Sequence, residues 1–360
     1  MVEVRLDGPI EYPARRRRDA RKRRRRGGGR SPVVAALDLG TNNCRLLIAR
    51  PVRDGFKVID GYSKVVRLGE GLVFSGALSP EAMDRTIAAL RICQQKIARR
   101  GVAAGRYVAT EACRQASNGE EFLKRVRHET GMNLEMISSQ EEARLTFDGC
   151  LPLLEESSRP YGLTFDVGGG SAEIMLVRLD GEAPEIAGWV SLPYGVVTLT
   201  EKYRASEISA EGYRRMVEEV SAELQPFDRK YGIRELVEAD QVQVLGTAGT
   251  VTTIAGIHLG LTKYNRSIVD GAWLEADVVR EISGKLVTSS FKERAALACI
   301  GQNRAELVVA GCGVLEAICT TWPAQTIRVA DRGVREGLLL ALAEKVSPGR
   351  RNGAPRDEQG

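Results

Sequence analysis

Apolar residues in this chain fall in short runs that stop at glycine turns, and the runs come in threes. A β-rich run over 33–38 ends on Asp38, a glycine turn follows, and runs over 44–50 and 56–68 complete a triplet of strands. Ser79 with Pro80 reads as an N-cap and first helical residue of a helix that stops near Gly101. A strand over 106–110 leads to a helix capped by Asn118, with Glu120 and Glu121 at its positive end and basic residues over 124–128 toward its negative end. A strand over 134–138 enters a helix begun by Ser139. From Tyr161 the order restarts, with strands to Asp166, over 172–179 and over 185–192. A helix over 209–231, a strand over 241–245 and a mostly helical remainder follow, closing with a strand over 326–330 and a helix over 333–345.

Strand triplets followed by alternating helices and strands predict α/β layers, a mixed sheet in each half and a cleft between two related lobes. The predicted organisation is a basic tail without structure over 1–31, lobes over 32–146 and 147–346, and a loose tail over 347–360. A chain of 360 residues with 43% hydrophobic and 5% aromatic residues suits two such aliphatic cores.

Charge alters this picture only at the start. The formal net charge of +5 conceals 12 Lys/Arg against 4 Asp/Glu in residues 1–31, leaving 40 against 43 in the rest. The arginine run suits non-specific contact with a polyanion such as RNA, an anionic membrane or polyphosphate. The longest wholly apolar stretch, over 338–343, is far short of the roughly 20 residues of a membrane span, and no signal-peptide core follows the arginines. Seven cysteines without a CxxC pair do not read as a disulfide framework, so a reducing cytoplasm is expected. Two histidines, His128 and His258, support neither a catalytic triad nor a zinc site.

The chemistry gathers at two matching loops. Asp38-Leu-Gly40-Thr41-Asn42-Asn43-Cys-Arg45 and Asp166-Val-Gly168-Gly169-Gly170-Ser171-Ala-Glu173 are DxG turns between strands, each with a charged residue seven positions after the Asp. Glycines allow the tight bend and bring N–H groups close to phosphate oxygens, while Thr41, Asn42 and Ser171 add side-chain donors. The adjoining carboxylates suit Mg²⁺, which neutralises phosphate charge. A third turn, Gly246-Thr247-Ala248-Gly249-Thr250, joins a strand to a helix whose N-terminus suits a further phosphate. One such turn is ordinary punctuation, whereas two matching copies are a much stronger signal.

These loops resemble those of the actin, Hsp70 and sugar-kinase superfamily. The wording of DLGTNNCRLLIA, ATEACRQASN, SSQEEARLTFDG, DVGGGSAEI, LGTAGTVTT and DRGVREGLL, spread over about 33–345, resembles its exopolyphosphatase and guanosine pentaphosphate phosphohydrolase branch. The resemblance implies duplicated ribonuclease H-like (actin-like ATPase) domains, Mg²⁺-dependent hydrolysis of a terminal phosphoanhydride, and a homodimer. It makes Glu142 the base that activates water, puts Asp38, Asp166 and Glu173 near metal and phosphate, and gives Arg45 and Arg114 to phosphate. Read from the residues alone, Glu142 has a competing role, since Ser139 and Glu142 form an S-x-x-E capping box. Asn43 and Asp270 depart from the family pattern, which has Ser and His there. A kinase or actin-like ATPase could use the same loops, and a binding protein without turnover is a third reading. Inorganic polyphosphate and guanosine pentaphosphate both fit the motifs.

Overall fold

The computed structural model describes residues 11–13, 31–53, 55–154 and 159–346. Its first half runs β1 (Glu11–Pro13), β2 (Val34–Leu39), β3 (Asn43–Val52), β4 (Gly55–Val65), α1 (Leu72–Ser75), α2 (Pro80–Arg99), β5 (Ala104–Ala109), α3 (Glu111–Gln115), α4 (Gly119–Thr130), β6 (Glu135–Met136) and α5 (Ser139–Cys150). The second runs β7 (Tyr161–Val167), β8 (Ala172–Arg178), β9 (Glu185–Leu192), α6 (Val196–Tyr203), α7 (Ala210–Tyr231), α8 (Ile233–Glu238), β10 (Val242–Thr247), α9 (Gly249–His258), α10 (Arg266–Val269), β11 (Trp273–Glu275), α11 (Ala276–Thr288), α12 (Phe291–Ala296), α13 (Val308–Thr321), β12 (Thr326–Ala330) and α14 (Val334–Val346).

Two six-stranded mixed sheets result, ordered β1-β4-β3-β2-β5-β6 and β11-β12-β10-β7-β8-β9. The duplication is visible in register. Asp38 pairs with Arg45 on the antiparallel β3 and with Val108 on the parallel β5; Asp166 pairs with Glu173 on the antiparallel β8 and with Thr247 on the parallel β10. The seven-residue spacing therefore makes each charged residue the cross-strand neighbour of its aspartate.

Alternation along the strands decides which way the site faces. In the first sheet Leu37, Leu39, Leu46 and Ile48 pack with Ile87, Leu90, Phe122 and Val126. The opposite face carries Val34, Ala36, Leu47 and Val108 and packs against Leu145 of α5 and Val334, Leu338, Leu339 and Leu342 of α14. Asp38 shares the side of Val34 and Ala36. In the second sheet Met175 and Val177 pack against Ala143, Phe147 and Cys150 of α5, and Glu173 shares their side. Helix α5 is thus held between the inner faces of both sheets, and α14, the last helix among the described residues, crosses back to the first. The sequence boundary at 146/147 falls inside α5.

Three expectations are corrected. The stretch 1–31 includes the strand β1, which pairs with the edge of β4; the arginine run and 347–360 lie outside the described residues. Asn118 stands at the N-cap position of α4 as expected, but its side chain makes no capping bond, because its amide is exchanged with the backbone of Leu78 at 2.8 and 3.0 Å. Helix α5 is capped by Ser138, whose hydroxyl accepts from Glu141 N at 3.2 Å, so Ser139 is the first helical residue. Glu141 is turned to Arg106 (2.7 Å), and Glu142 takes no part in a capping box. Ser138→Ala should cost about 1 kcal/mol of stability in denaturant unfolding and Ser139→Ala only a few tenths; equal losses would contradict this cap.

Candidate active site

The two DxG turns close in the same way, Gly40 N donating to Asn43 O and Gly168 N to Ser171 O, both at 2.9 Å. They face one another in contact: a Cβ at Gly169 would lie 2.9 Å from Thr41 Cβ, and one at Gly170 2.8 Å from both Thr41 Oγ1 and Glu111 Cγ. Glycine at 169 and 170 is what lets the second turn come this close. Among the described residues, the N–H groups of Thr41, Asn42, Gly169, Gly170 and Ser171 have no acceptor, and the buried Asn42 Oδ1 has no partner. Buried polar groups are nearly always paired, so donors left open at a loop are the mark of an anion cradle.

The third turn lies beside the second through the pairing of Thr247 with Asp166. Its residues serve different ends. Gly246 makes room for Phe165, whose Cζ would sit 2.5 Å from a Cβ there, and the buried Thr247 hydroxyl donates to Arg332 O at 2.5 Å. Gly249 opens α9, after Ala248 at φ 88°. A non-glycine residue at that angle is strained, a condition that clusters at ligand sites.

Around the turns stand carboxylates that disturb one another. Burial raises Asp38, with Arg45 and Arg335 opposing it. Burial and Asp38 push Asp166 up to about 6, while Thr146 of α5 donates to it at 3.3 Å. Glu173 is pushed to about 7 by burial and Asp166, although Ser171 and Ser191 donate to its Oε1 at 2.6 and 3.0 Å. Glu142 is raised well above the ordinary range by burial and then by Glu173, with Arg114 pulling the other way. Burial and the neighbouring carboxylate work against its ionised form, while Arg114 and the start of α5 favour it. Such mutual perturbation gathers at functional sites.

Arg114 is committed to carboxylates rather than free for phosphate. Its Nη1 donates to Glu142 Oε2 at 2.9 Å and to Ile137 O at 2.7 Å, and its Nε to Glu111 Oε2 at 3.1 Å. Arg45 is left facing Asp38 across the strands. Sequence reasoning did not single out Glu111, which is buried against Gly170 and anchors Arg114; its signal was its place just past a strand end, inside ATEACRQASN. It also missed the charges of DRGVREGLL. There Arg266 reaches Glu336 at 2.7 Å and also contacts Asp331, and Arg332 binds Asp270 at 2.9 Å. Asp270, a departure from the family pattern, is occupied by this ion pair, and Asn43 contributes its backbone to the first turn.

Two duplicated α/β lobes that meet at a pair of open glycine turns ringed by carboxylates define an enzyme of phosphoryl-group chemistry. The chain belongs to the Ppx/GppA phosphatase family, whose model matches residues 47–346. Exopolyphosphatase 2 of Mycobacterium tuberculosis is 31% identical over 329 residues, covering 86% of this chain and 98% of the relative. The guanosine-5'-triphosphate,3'-diphosphate pyrophosphatase of Aeromonas salmonicida is 28% identical and is matched over 87% of this chain and 60% of its own length. The crystal structure of the Aquifex aeolicus Ppx/GppA family member superposes with a TM-score of 0.71 at 26% identity, covering 88% of this chain and 99% of that one. No helix among the described residues is long and apolar enough to cross a membrane.

Proposed function

We propose that this chain is an exopolyphosphatase, which hydrolyses the terminal phosphoanhydride of inorganic polyphosphate and releases orthophosphate. The observation that carries the reading is the convergence of Asp38, Glu142, Asp166 and Glu173 beside five loop N–H groups without acceptors. Glu142 is the general base. Its Oε2 is held by Arg114, and Oε1 is left to take the proton of a water attacking the terminal phosphorus. The N–H groups of both turns, with Thr41 and Arg45, stabilise the charge that spreads over the phosphoryl oxygens. Ser171 orients Glu173, and Arg114 acts by positioning Glu142.

Asp38, Asp166 and Glu173 would hold Mg²⁺, which when bound neutralises phosphate charge. Mg²⁺ characteristically takes one or two carboxylates together with water and phosphate oxygens, which the acidic side chains beside the turns can supply, whereas among the described residues no three acidic, His or Cys side chains are grouped closely enough to chelate an ion by themselves. Asn42 Oδ1, buried without a partner, is a further oxygen suited to a cation or its water.

Polyphosphate is placed ahead of guanosine pentaphosphate because the chain matches the exopolyphosphatase relative over almost its whole length and the pyrophosphatase relative over 60% of its own. The arginine run of the N-terminal tail suits the same polyanion. Phosphate release should be measured side by side from polyphosphates of several lengths, guanosine pentaphosphate and ATP. Polyphosphate should exceed the others at least about tenfold, which corresponds to about 1.4 kcal/mol in the barrier. EDTA should abolish release and Mg²⁺ restore it. Preference for guanosine pentaphosphate would select the second reading, and release from none of them would end both.

A further inference from the structure

The second phosphate turn is held from behind by the start of α6. Val196 N donates to Gly168 O at 2.9 Å and Val197 N to Gly169 O at 2.8 Å. The Thr198 hydroxyl lies 3.5 Å from Gly170 O and 3.1 Å from Gly195 O, and it accepts from Gly195 N at 2.8 Å. The backbone bonds hold two successive carbonyls of the turn, with Thr198 N also 3.4 Å from Gly169 O, while the single hydroxyl proton of Thr198 has its nearer acceptor in Gly195 O. In a trans peptide the N–H points opposite to the carbonyl of the same unit. Fixing the carbonyls of Gly168 and Gly169 therefore turns the N–H groups of Gly169 and Gly170 the other way, and these are two of the donors left without acceptors among the described residues. The approach is close enough to exclude a side chain, since a Cβ at Gly195 would overlap the Gly169 carbonyl.

The helix is itself clamped. Glu219 of α7 accepts from Tyr194 at 2.6 Å, just before α6, and from Lys202 at 2.5 Å and Tyr203 near its end. One carboxylate therefore fixes both ends of the helix that sets the turn.

We propose that α6 is a splint for the second phosphate turn, with Thr198 and Glu219 as positioning residues of the reaction. The orthophosphate-binding part of this proposal rests on the geometry alone; only its effect on turnover rests on the exopolyphosphatase reading. Loss of the Thr198 hydroxyl removes its bonds to Gly195 and loosens the start of α6 behind the turn, and loss of the Glu219 carboxylate lets α6 shift as a body.

The test compares full-length wild type with Thr198→Val, Thr198→Ser and Glu219→Ala, measuring orthophosphate binding by calorimetry, tripolyphosphate hydrolysis and Tm. Thr198→Val should weaken orthophosphate binding and lower kcat/KM about tenfold, the scale of one hydrogen bond near a charged group. Its Tm should move little, and Thr198→Ser should restore both constants. Glu219→Ala should show the same two losses. Wild-type orthophosphate affinity in folded Thr198→Val, or failure of Ser to rescue, would overturn the splint. If the wild type hydrolyses no polyphosphate but Thr198→Val still weakens orthophosphate binding, the substrate reading fails and the splint stands.

Discussion

Glu142→Gln should lower kcat by about 10²–10⁴-fold, the usual share of a general base, with KM nearly unchanged. Gln keeps an oxygen to accept from Arg114 and nearly the same volume, so α5 and its packing survive and thermal unfolding should match the wild type. The matched control is Glu141→Gln, one residue earlier in the same turn, whose side chain is 39% exposed and paired with Arg106 outside the acidic cluster. Activity there should stay within about twofold, since surface changes of this kind are usually small. Retained turnover in Glu142→Gln would remove it as the base and point to another carboxylate of the group. The capping alternative makes a different forecast, stability and turnover both kept because Gln can still cap, but the cap at Ser138 has already separated Glu142 from that role.

How far the site can be read from sequence depends on whether its residues are fixed locally. The DxG turns are legible because a turn between paired strands is set by a few neighbouring residues, and the spacing from Asp38 to Arg45 and from Asp166 to Glu173 turns out to be the hairpin register itself. Strands over 185–192 and 326–330 are found as expected for the same reason. What is not legible is which partner each group finds across the fold. Ser138 and Ser139 are identical as local cap signals, and only the one-residue difference decides that Glu141, not Glu142, sits at the capping-box position. Arg114 looks like a phosphate ligand until Glu111 and Glu142 are seen around it. The apolar run of α14 announces burial but not its destination, the inner face of the first sheet. Gly246 reads as a phosphate-loop glycine, yet it also makes room for the ring of Phe165.

Gly337→Ala should lower stability by about 1–3 kcal/mol and turnover by up to about 10²-fold. Helices α5 and α14 cross with their backbones in contact. A Cβ at Gly337 would overlap the Leu145 carbonyl and lie 2.8 Å from Leu145 C, and a Cβ at Gly149 would lie 2.5 Å from Gly333 O and 3.0 Å from Gly337 N. The atoms in the way are main chain, so no side chain can swing aside and the helices must separate. Leu145 is one turn beyond Glu142, and the same displacement moves the base relative to the phosphate turns. Gly284→Ala is the contrast, because a Cβ there meets nothing within 4 Å in the helix α11. It should raise stability by up to about 1 kcal/mol through helix propensity and leave the kinetics alone. Denaturant unfolding and phosphate release on both variants decide the matter. Wild-type stability and turnover in Gly337→Ala would mean that the crossing has slack and does not set the position of Glu142.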